Sequence, residues 1–479
     1  MKYMLSVLTV LFSLSGFSQE IALDSVQGTE QKLNEVIVSS IRVKYTSPFT
    51  HSNVSKEELS KRNLGQDLPI LLNYLPSVVT TSDAGAGIGY TGIRIRGVSA
   101  QSTNITINGI PFNDAESHGT YWVNLPDFTS SIESLQVQRG VGTSTNGAGA
   151  FGSSINILTD GISENPFAEI SNSFGSYNSR KHTIKFSSGL LNNSFELSGR
   201  LSKIDSDGYV DRAFSDLKSY FLQGAYKKGN TFLKALAFGG YERGYQSWFG
   251  LTKDQIKENR RQNPYTYENE IDNYKQDHYQ IHLNQKLNSN WSTNVGLNYT
   301  YGRGYYEQYR DDDDVSTYGG IVVSDVDSNG NELGTTDLIR RRWLDNNFYV
   351  LNTTFNYVSS KLNMNFSSYY SSYSGDHYGE VIWARQIGPN NSIRDEYYRG
   401  NGKKNEWSLF AKSSYLINDQ LEIFGDIQFR KIGYKTTGLT SDLVNMLIDQ
   451  TYDFFNPKFG LSYEFNLNSN LFFSYSRAN

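Results

Sequence analysis

After residue 167 the chain consists largely of paired segments in which an apolar residue recurs at every second position. This pattern restricts the possible folds more than any other feature of the sequence. One pair is HYQIHLNQKL-NSN-WSTNVGLNYTY, in which Tyr279, Ile281 and Leu283 share one face of the first segment. This alternation is the pattern of a β-strand with one apolar face, and the short polar linker suits a hairpin turn. The segments, nine to twelve residues each, therefore predict a large antiparallel sheet.

The connections between these segments are of two kinds, short turns and long polar stretches such as 240–276 and 302–346. Aromatic residues make up 14% of the chain, yet mean hydropathy is −0.51 and no apolar run is long enough for a spanning helix. Short turns on one side, long loops on the other and aromatic strand ends are typical of an outer-membrane barrel. A soluble β-sandwich, the alternative, rarely combines strands of this length with one-sided loops.

The number of strands indicates a partial barrel. We count about thirteen before the sequence stops at LFFSYSRAN. An odd number does not suit a closed bacterial barrel, and a chain that stops in a strand would leave an unpaired edge in lipid. We therefore expect residues 161–479 to be the first part of a barrel whose remaining strands are missing from this sequence.

The N-terminus has the features of an exported protein. Residues 1–18 contain Lys2, an apolar core and small residues at the end, which predicts a Sec signal peptide cut after Ser18. The chain has no cysteine, so disulfides, thiolate metal sites and a lipid-anchored N-terminus are excluded. After a polar tail, LNEVIVSSI is either an edge strand for another protein's sheet or the first strand of the next domain.

Residues 50–160 predict a small α/β domain. Two short helices come first, and Ser55 begins a capping box for one of them. GIRIRGV and NITINGIPF predict strands, with Asn108 and Gly109 as a hairpin turn. A short helix capped by Asp127 and a further strand follow.

The glycine-rich stretch GAGAFG at 147–152 matches the G-x-G-x-x-G pattern of dinucleotide-binding loops. That pattern requires a helix directly after it, whereas the following SSINILT alternates like a strand. A phosphate-binding P-loop is excluded because Ala148, not lysine, follows Gly147. Tight turning between two strands explains the glycines better, and we expect no cofactor.

The stretch LQVQRGVGTSTNGAGAFGSSINILT resembles the end of the plug domain of TonB-dependent outer-membrane receptors. DLPILLNYLPSVV, GIRIRGV and ITINGIPF resemble three other plug elements, in the family's order. EVIVS at 35–39 resembles the family's TonB box, which favours the edge-strand interpretation of that stretch. The plug-motif residues are Arg94, Arg96, Gly97, Asn108, Gly109, Arg139, Gly140, Gly147 and Gly152.

This resemblance implies a membrane all-β fold: an antiparallel outer-membrane β-barrel of about 22 strands, partial here, with a small N-terminal α/β plug domain inside. The implied domains are a signal peptide at 1–18, a periplasmic tail with the TonB box at 19–45, the plug at 46–160 and the partial barrel at 161–479. Within the family, the chain resembles the Bacteroidetes-type, ferric-chelate-receptor-like members. The carboxypeptidase-like domain of many glycan importers is not seen before the box.

The family's mechanism implies three partners: TonB, outer-membrane lipid and a small nutrient substrate. TonB would pair with the box as an added strand in the periplasm and pull on it, using proton-motive force. The residues implied in this contact are Glu35, Val36, Ile37, Val38 and Ser39.

Candidate substrate contacts lie in polar stretches that loops would carry. DAESHGTYWVN places three in an apical plug loop, where histidine and aromatic rings could meet an iron chelate or haem, although a lone histidine there is more often only solvated. These are His118, Tyr121 and Trp122.

Two charged runs have open interpretations. IRRRW could attract an anionic ferric chelate, lie at lipid headgroups or pair with acids, and YRDDDDV could bind Ca²⁺ or form a solvated loop. The residues are Arg340, Arg341, Arg342, Asp311, Asp312, Asp313 and Asp314.

We therefore expect a TonB-dependent importer, most specifically of a ferric siderophore or other iron chelate. Import of cobalamin or an oligosaccharide stays open, and a passive porin or adhesin is disfavoured by the plug motifs. A net charge of −5 argues against nucleic acid as a partner. No Ser/His/Asp or metal-ligand constellation is visible in the sequence, so we expect neither an enzyme nor a metal site.

Overall fold

The computed structural model describes residues 42–43, 47–144, 147, 151–466 and 469–479. The predicted signal peptide and TonB box lie outside these residues. Among the residues described, no helix is both long and apolar enough to cross a membrane.

The first part of the described chain is a small α/β domain. Its strands and helices, in chain order, are β1 His51–Ser55, α1 Lys56–Ser60, α2 Leu68–Leu71, β2 Val78–Ser82, β3 Thr91–Ile95, β4 Thr103–Ile107, β5 Ile110–Pro111, β6 Ile132–Arg139 and β7 Ser153–Thr159. Short 3₁₀ turns lie at Ala100–Ser102, Trp122–Asn124 and Phe128–Ser131.

Five of these strands form one sheet in the order β1-β6-β7-β4-β5, and β2 pairs with β3 in a separate hairpin. The predicted turn lies between β4 and β5, with φ of 53° at Asn108 and 80° at Gly109. Ser55 caps α1 as predicted, because its hydroxyl accepts from the Glu58 N–H at 3.2 Å. The strand β7 directly after the glycine-rich stretch supports the rejection of a nucleotide loop.

The second part is a sheet of 13 antiparallel strands, each paired with its neighbours in sequence. The strands are β8 Pro166–Phe174, β9 Arg180–Ser188, β10 Phe195–Ser206, β11 Ser215–Lys228, β12 Thr231–Tyr245, β13 Ile271–Lys286, β14 Trp291–Asp314, β15 Thr335–Val358, β16 Leu362–Ala384, β17 Glu396–Leu416, β18 Leu421–Leu439, β19 Asn445–Asn466 and β20 Ser469–Ser476. One further helix, α3 Lys253–Glu258, lies in the loop after β12.

The strand lengths predicted from the sequence are wrong for the central strands, of which β14 and β15 each have 24 residues. Half of the stretch 302–346, expected as a polar loop, is paired strand. Cross-strand contacts between polar aromatic side chains, such as Tyr305 with Trp343 at 4.6 Å, stabilise this extension. The apolar period fades there because both faces carry polar atoms, so the pattern alone could not reveal it.

The two faces of the large sheet differ in the way a barrel requires. Tyr279 and Ile281 are exposed, and each lies opposite another apolar side chain, Tyr299 and Leu297. The other face is polar and covers the N-terminal domain: Lys234 of β12, for example, donates to Thr159 Oγ1 at 2.8 Å. The sheet therefore has an apolar outer face and a polar inner face that surrounds the small domain.

Candidate functional site

A cavity of about 710 Å³ lies between the N-terminal domain and the inner face of the large sheet. Its walls come from the ends of β12 to β19 that carry the long loops 246–270, 315–334 and 385–395. The other strand ends are joined by short turns such as 229–230 and 287–290. The cavity therefore lies on the long-loop side, with the N-terminal domain below it.

A loop of the N-terminal domain, residues 113–121, supplies the floor of the cavity. Its side chains fold it back on itself: Asp114 Oδ1 accepts from the Ser117 N–H and hydroxyl, both at 2.7 Å. Asn113 joins the loop to β4, since its Oδ1 accepts from the Ile105 N–H at 2.7 Å and its Nδ2 donates to the His118 carbonyl at 3.0 Å. The loop is thus held by its own hydrogen bonds.

The same loop is bound to the surrounding sheet through Glu116. Its Oε2 accepts from the Tyr373 hydroxyl and lies 2.8 Å from His377 Nε2. Lys404 donates to the Ala115 carbonyl at 3.0 Å from the same side. The loop that carries the cavity floor is therefore fixed to β16 and β17, and a ligand that moved it would disturb these contacts.

The three residues predicted from this loop have different environments. Tyr121 is 44% exposed and lines the cavity. His118 lies beside it, with Nε2 3.1 Å from Lys404 Nζ, and burial followed by the Lys404 charge lowers its pKa. Trp122 is only 4% exposed and packs 6.2 Å from Phe112 in the hydrophobic core. Trp122 thus lies in the core of the plug and does not line the cavity.

The three arginines at 340–342 also have different environments. Arg342 lines the cavity and donates to the hydroxyls of Tyr306 and Tyr397. Arg340 is buried and donates to Tyr318 at 2.8 Å, while Arg341 Nε donates to Glu307 at 2.8 Å. Arg340 and Arg341 do not line the cavity, because internal partners take up their guanidinium groups.

Comparison with known proteins identifies the architecture around this cavity. Residues 43–154 match the model of the TonB-dependent receptor plug domain. The N-terminal part of the chain is therefore a TonB-dependent receptor plug domain. The N-terminal domain is accordingly the plug, and the large sheet is the barrel wall.

Two curated relatives match parts of the chain. One is the vitamin B12 transporter BtuB of Vibrio vulnificus, 33% identical over 159 residues that make up 33% of this chain and 25% of that one. The other is a probable TonB-dependent siderophore receptor, PirA, of Acinetobacter baumannii, 27% identical over 238 residues, or 47% of this chain and 29% of that one. The matches thus span between a quarter and a third of these relatives.

Solved structures agree in fold. The ferric yersiniabactin uptake receptor FyuA of Yersinia pestis has a TM-score of 0.65 at 14% identity, over 89% of this chain and 64% of that one. The open form of the ferric-catecholate import receptor Fiu of E. coli K12 has a TM-score of 0.66 at 16% identity, over 92% and 70%. At such identity the likeness establishes the plug-and-barrel fold alone.

Most of the plug-motif residues join or pack segments within the plug. Arg139 joins three segments, since it donates to the Pro76 carbonyl at 3.0 Å and to Ser52 Oγ at 2.7 Å. Gly140 donates to the Gly152 carbonyl at 2.8 Å. At Gly152 an added Cβ would lie 2.7 Å from a Val98 methyl group, so only glycine fits there.

The remaining motif residues form turns. Arg96 and Gly97 both have positive φ, 55° and 74°, in the turn after β3, whereas Arg94 lies on an exposed face of β3. Gly147 also has positive φ, and a Cβ there would lie 2.9 Å from Pro111. Asn108 Nδ2 reaches the wall, donating to Gln280 at 3.2 Å.

The carboxylates of the aspartate run at 311–314 do not converge on one position. Asp313 pairs with Arg310 at 3.0 Å, and Asp314 accepts from the Ser316 N–H at the start of a 3₁₀ turn. Among the described residues no group of three or more acidic, histidine or cysteine side chains is placed to hold a metal ion. These four residues form the end of β14, and Asp313 is paired there, so the run is not the solvated loop of the second interpretation.

Most residues of the cavity were not among those we expected from the sequence. Tyr90 of the plug and Glu242, Asp272 and Tyr274 of the wall line it together. Tyr90 donates to Asp272 and to Glu242, the latter at 3.3 Å. The available signal was acidic residues at the ends of strand segments next to long loops, but their meeting depends on pairing across the whole wall.

Proposed function

We propose that this chain forms the plug and wall strands of a TonB-dependent importer that takes up a scarce nutrient, most specifically an iron chelate. The cavity of about 710 Å³ between the plug loop and the loop-side strand ends carries this proposal. Its volume is in the range of small-molecule sites, and aromatic and polar side chains line it.

The plug explains why energy is needed in this proposal. It fills the inner side of the wall and makes buried contacts with it, such as Ser219 Oγ donating to the Pro126 carbonyl at 2.6 Å. A ligand held at the cavity can pass only if the plug rearranges. We assign that work to TonB, paired with residues 35–39 as an added strand.

The domain assignment belongs to the same proposal. Residues 1–18 act as the Sec signal peptide, 19–45 as the periplasmic tail, 46–160 as the plug and 161–479 as wall in the outer membrane. In this arrangement the chain binds and transports, and no side chain is required to catalyse a reaction.

The iron assignment is supported by the names of similar proteins. PirA is described as a probable siderophore receptor, and FyuA and Fiu as receptors for ferric yersiniabactin and ferric catecholates. Cobalamin is the second candidate, because BtuB matches this chain at 33% identity.

Energy-dependent uptake by cells carrying the gene tests the proposal. Radiolabelled ferric chelates and cobalamin are supplied to the wild type, to Ile37→Pro and to the matched control Val26→Pro in the polar tail. Proline removes a backbone donor and interrupts strand pairing, so Ile37→Pro is expected to abolish uptake and Val26→Pro to preserve it.

Each outcome has a distinct meaning. Iron uptake lost only in Ile37→Pro supports both TonB coupling and the iron cargo. Cobalamin uptake with the same pattern supports the importer and replaces iron as its cargo. Uptake that is equal in all three strains contradicts the TonB-box assignment and favours a passive pore.

A further inference from the structure

The charged groups around the cavity are predominantly acidic. Among the described residues four carboxyl groups line it, two from the plug loop and two from the wall, against the Arg342 guanidinium and the His377 imidazole, which lies 2.8 Å from Glu116. The four are Asp114, Glu116, Glu242 and Asp272. Lys404 lies close by, but it donates to the Ala115 carbonyl behind the loop and does not line the cavity.

Glu242 of the wall is the lining acid whose hydrogen bonding is least complete among the described residues. Glu242 is 2% exposed, and its Oε2 has no hydrogen-bond partner among the described residues. Asn124, which lines the same cavity and is 8% exposed, likewise has an Oδ1 without a described partner. Both free atoms are acceptors, and a buried acceptor without a donor costs free energy until a ligand supplies one.

Tyr90 cannot neutralise this pair of acids. Its one hydroxyl proton is shared between Asp272 and Glu242. Burial, and then the charges of Asp272 and Glu242, raise the pKa of Tyr90 well above its ordinary value, so the hydroxyl remains a neutral donor. The pair thus retains acceptor capacity that a further donor or a cation can use.

The aromatic lining suits the same kind of ligand. Tyr274, Tyr305 and Trp343 line the cavity beside the acids. Aromatic faces attract cations, most strongly where water is displaced. The single lining guanidinium, Arg342, already donates to Tyr306 and Tyr397, so it offers an anion less than a free arginine would.

We propose that the cavity selects a cationic cargo, a chelate or nutrient carrying a protonated amine that Glu242, Asp272 and Asn124 receive, and discriminates against anionic chelates. This inference rests on the proposed import function and specifies the class of its substrate. It disfavours one of the three interpretations left open for the arginine run, the attraction of an anionic ferric chelate.

The test uses two ferric trihydroxamates that differ only at one end. One carries a free primary amine, and in the other the same amine is succinylated and ends in a carboxylate. Affinities are measured by isothermal calorimetry on the receptor purified from outer membranes. We expect the amine chelate to bind at least about ten-fold tighter, because a charged hydrogen bond contributes on that order.

Two variants connect the preference to the cavity. Glu242→Gln keeps the shape but removes the charge and is expected to abolish most of the preference. Glu268→Gln, which removes a charge from the exposed part of the loop 246–270, is the matched control and should keep it. Thr436→Lys adds a cation to the cavity lining and should reverse the preference, so the test does not depend on one variant folding.

A second, iron-free pair separates this inference from the iron proposal. Benzylammonium, whose N–H groups can donate to these acceptors, and 4-methylbenzenesulfonate are titrated against the same receptor. If neither chelate binds but the ammonium ion does, and Glu242→Gln weakens its binding, the result supports a cavity that selects cations and contradicts the proposal that the cargo is an iron chelate. Equal binding of both charges, or tighter binding of the anions, overturns the inference whether or not iron is transported.

Discussion

Two carboxylates are buried where the plug meets the barrel wall, and their surroundings are opposite. Asp127 of the plug lies 3.0 Å from Lys181 Nζ and 3.4 Å from the Arg200 guanidinium, and Ser202 donates to it at 2.6 Å. Glu242 of the wall faces the cavity, and among the described residues the shared Tyr90 hydroxyl is its one side-chain donor. Both are almost fully buried.

The difference distinguishes a structural contact from a binding contact. Taking a carboxylate out of water is costly, and the cations around Asp127 compensate that cost within the protein. At Glu242 the compensation by the described residues is incomplete, and the side chain lines the cavity. A buried charge beside a cavity with too few donors is therefore a better indicator of ligand chemistry than a buried charge as such.

Removing the paired acid should have the largest effect. Asp127→Ala leaves Lys181 and Arg200 buried without their counter-charge and is expected to cost about 3–5 kcal/mol of plug stability. Thermal unfolding of the purified receptor, followed by tryptophan fluorescence, measures the loss. Asp254→Ala, which removes an acid paired with Lys257 on an exposed helix, should change it by less than about 1 kcal/mol. A small effect of Asp127→Ala would contradict a structural role.

Adjacent residues 121 and 122 sharpen the same distinction. Trp122→Ala removes a buried ring from the plug core and should cost about 3–5 kcal/mol, with the same unfolding measurement. Tyr121→Ala should leave unfolding nearly unchanged and weaken ligand binding, since its ring is 44% exposed at the cavity. If both variants lowered stability equally, Tyr121 would be part of the core and not of the site.

How far the sequence predicts the molecule depends on whether the information is local. The turn at Asn108 and the cap at Ser55 were predictable because neighbouring residues determine them. The strand register was predictable in the apolar part of the wall, as in Tyr279 opposite Tyr299. These features need no knowledge of distant segments.

The site was largely unpredictable for the opposite reason. Tyr90 and Asp272 are 182 residues apart in the chain and meet only because the wall surrounds the plug. Of the residues we expected at the site, Tyr121 and Arg342 line the cavity, whereas Trp122 is buried in the plug core. Loop composition shows which side chains are available, but pairing across many strands decides which of them face the same space.

A third buried acid, Asp67, tests the comparison through pH. It has neutral donors, such as the Thr91 hydroxyl at 2.9 Å, and burial raises its pKa to about 8. The pKa of Asp67 in the folded protein is therefore above the usual aspartate value. Protonated Asp67 contributes to the free energy of unfolding fully below about pH 4, and this contribution is lost as pH rises through about 8.

The plug should therefore unfold at a lower temperature near pH 9 than near pH 6, by an amount that Asp67→Asn reduces. Melting curves at several pH values, with Asp254→Asn as the exposed control, provide the measurement. Identical pH slopes in wild type and Asp67→Asn would show that this carboxyl is charged in the fold and compensated by donors we have not assigned.

The smallest expected effect concerns two adjacent arginines. Arg342 lines the cavity, whereas Arg341 Nε donates to Glu307 at 2.8 Å and its guanidinium lies 4.2 Å from the centre of the Tyr305 ring. Arg342→Gln should increase the ratio of cationic to anionic chelate affinity by roughly three-fold, as expected for a partly solvated charge. Arg341→Gln should leave that ratio unchanged and lower the unfolding temperature, because Glu307 would then be buried without its partner. Opposite results for the two positions would mean that the internally paired arginine, and not the one at the cavity, sets the charge seen by the ligand.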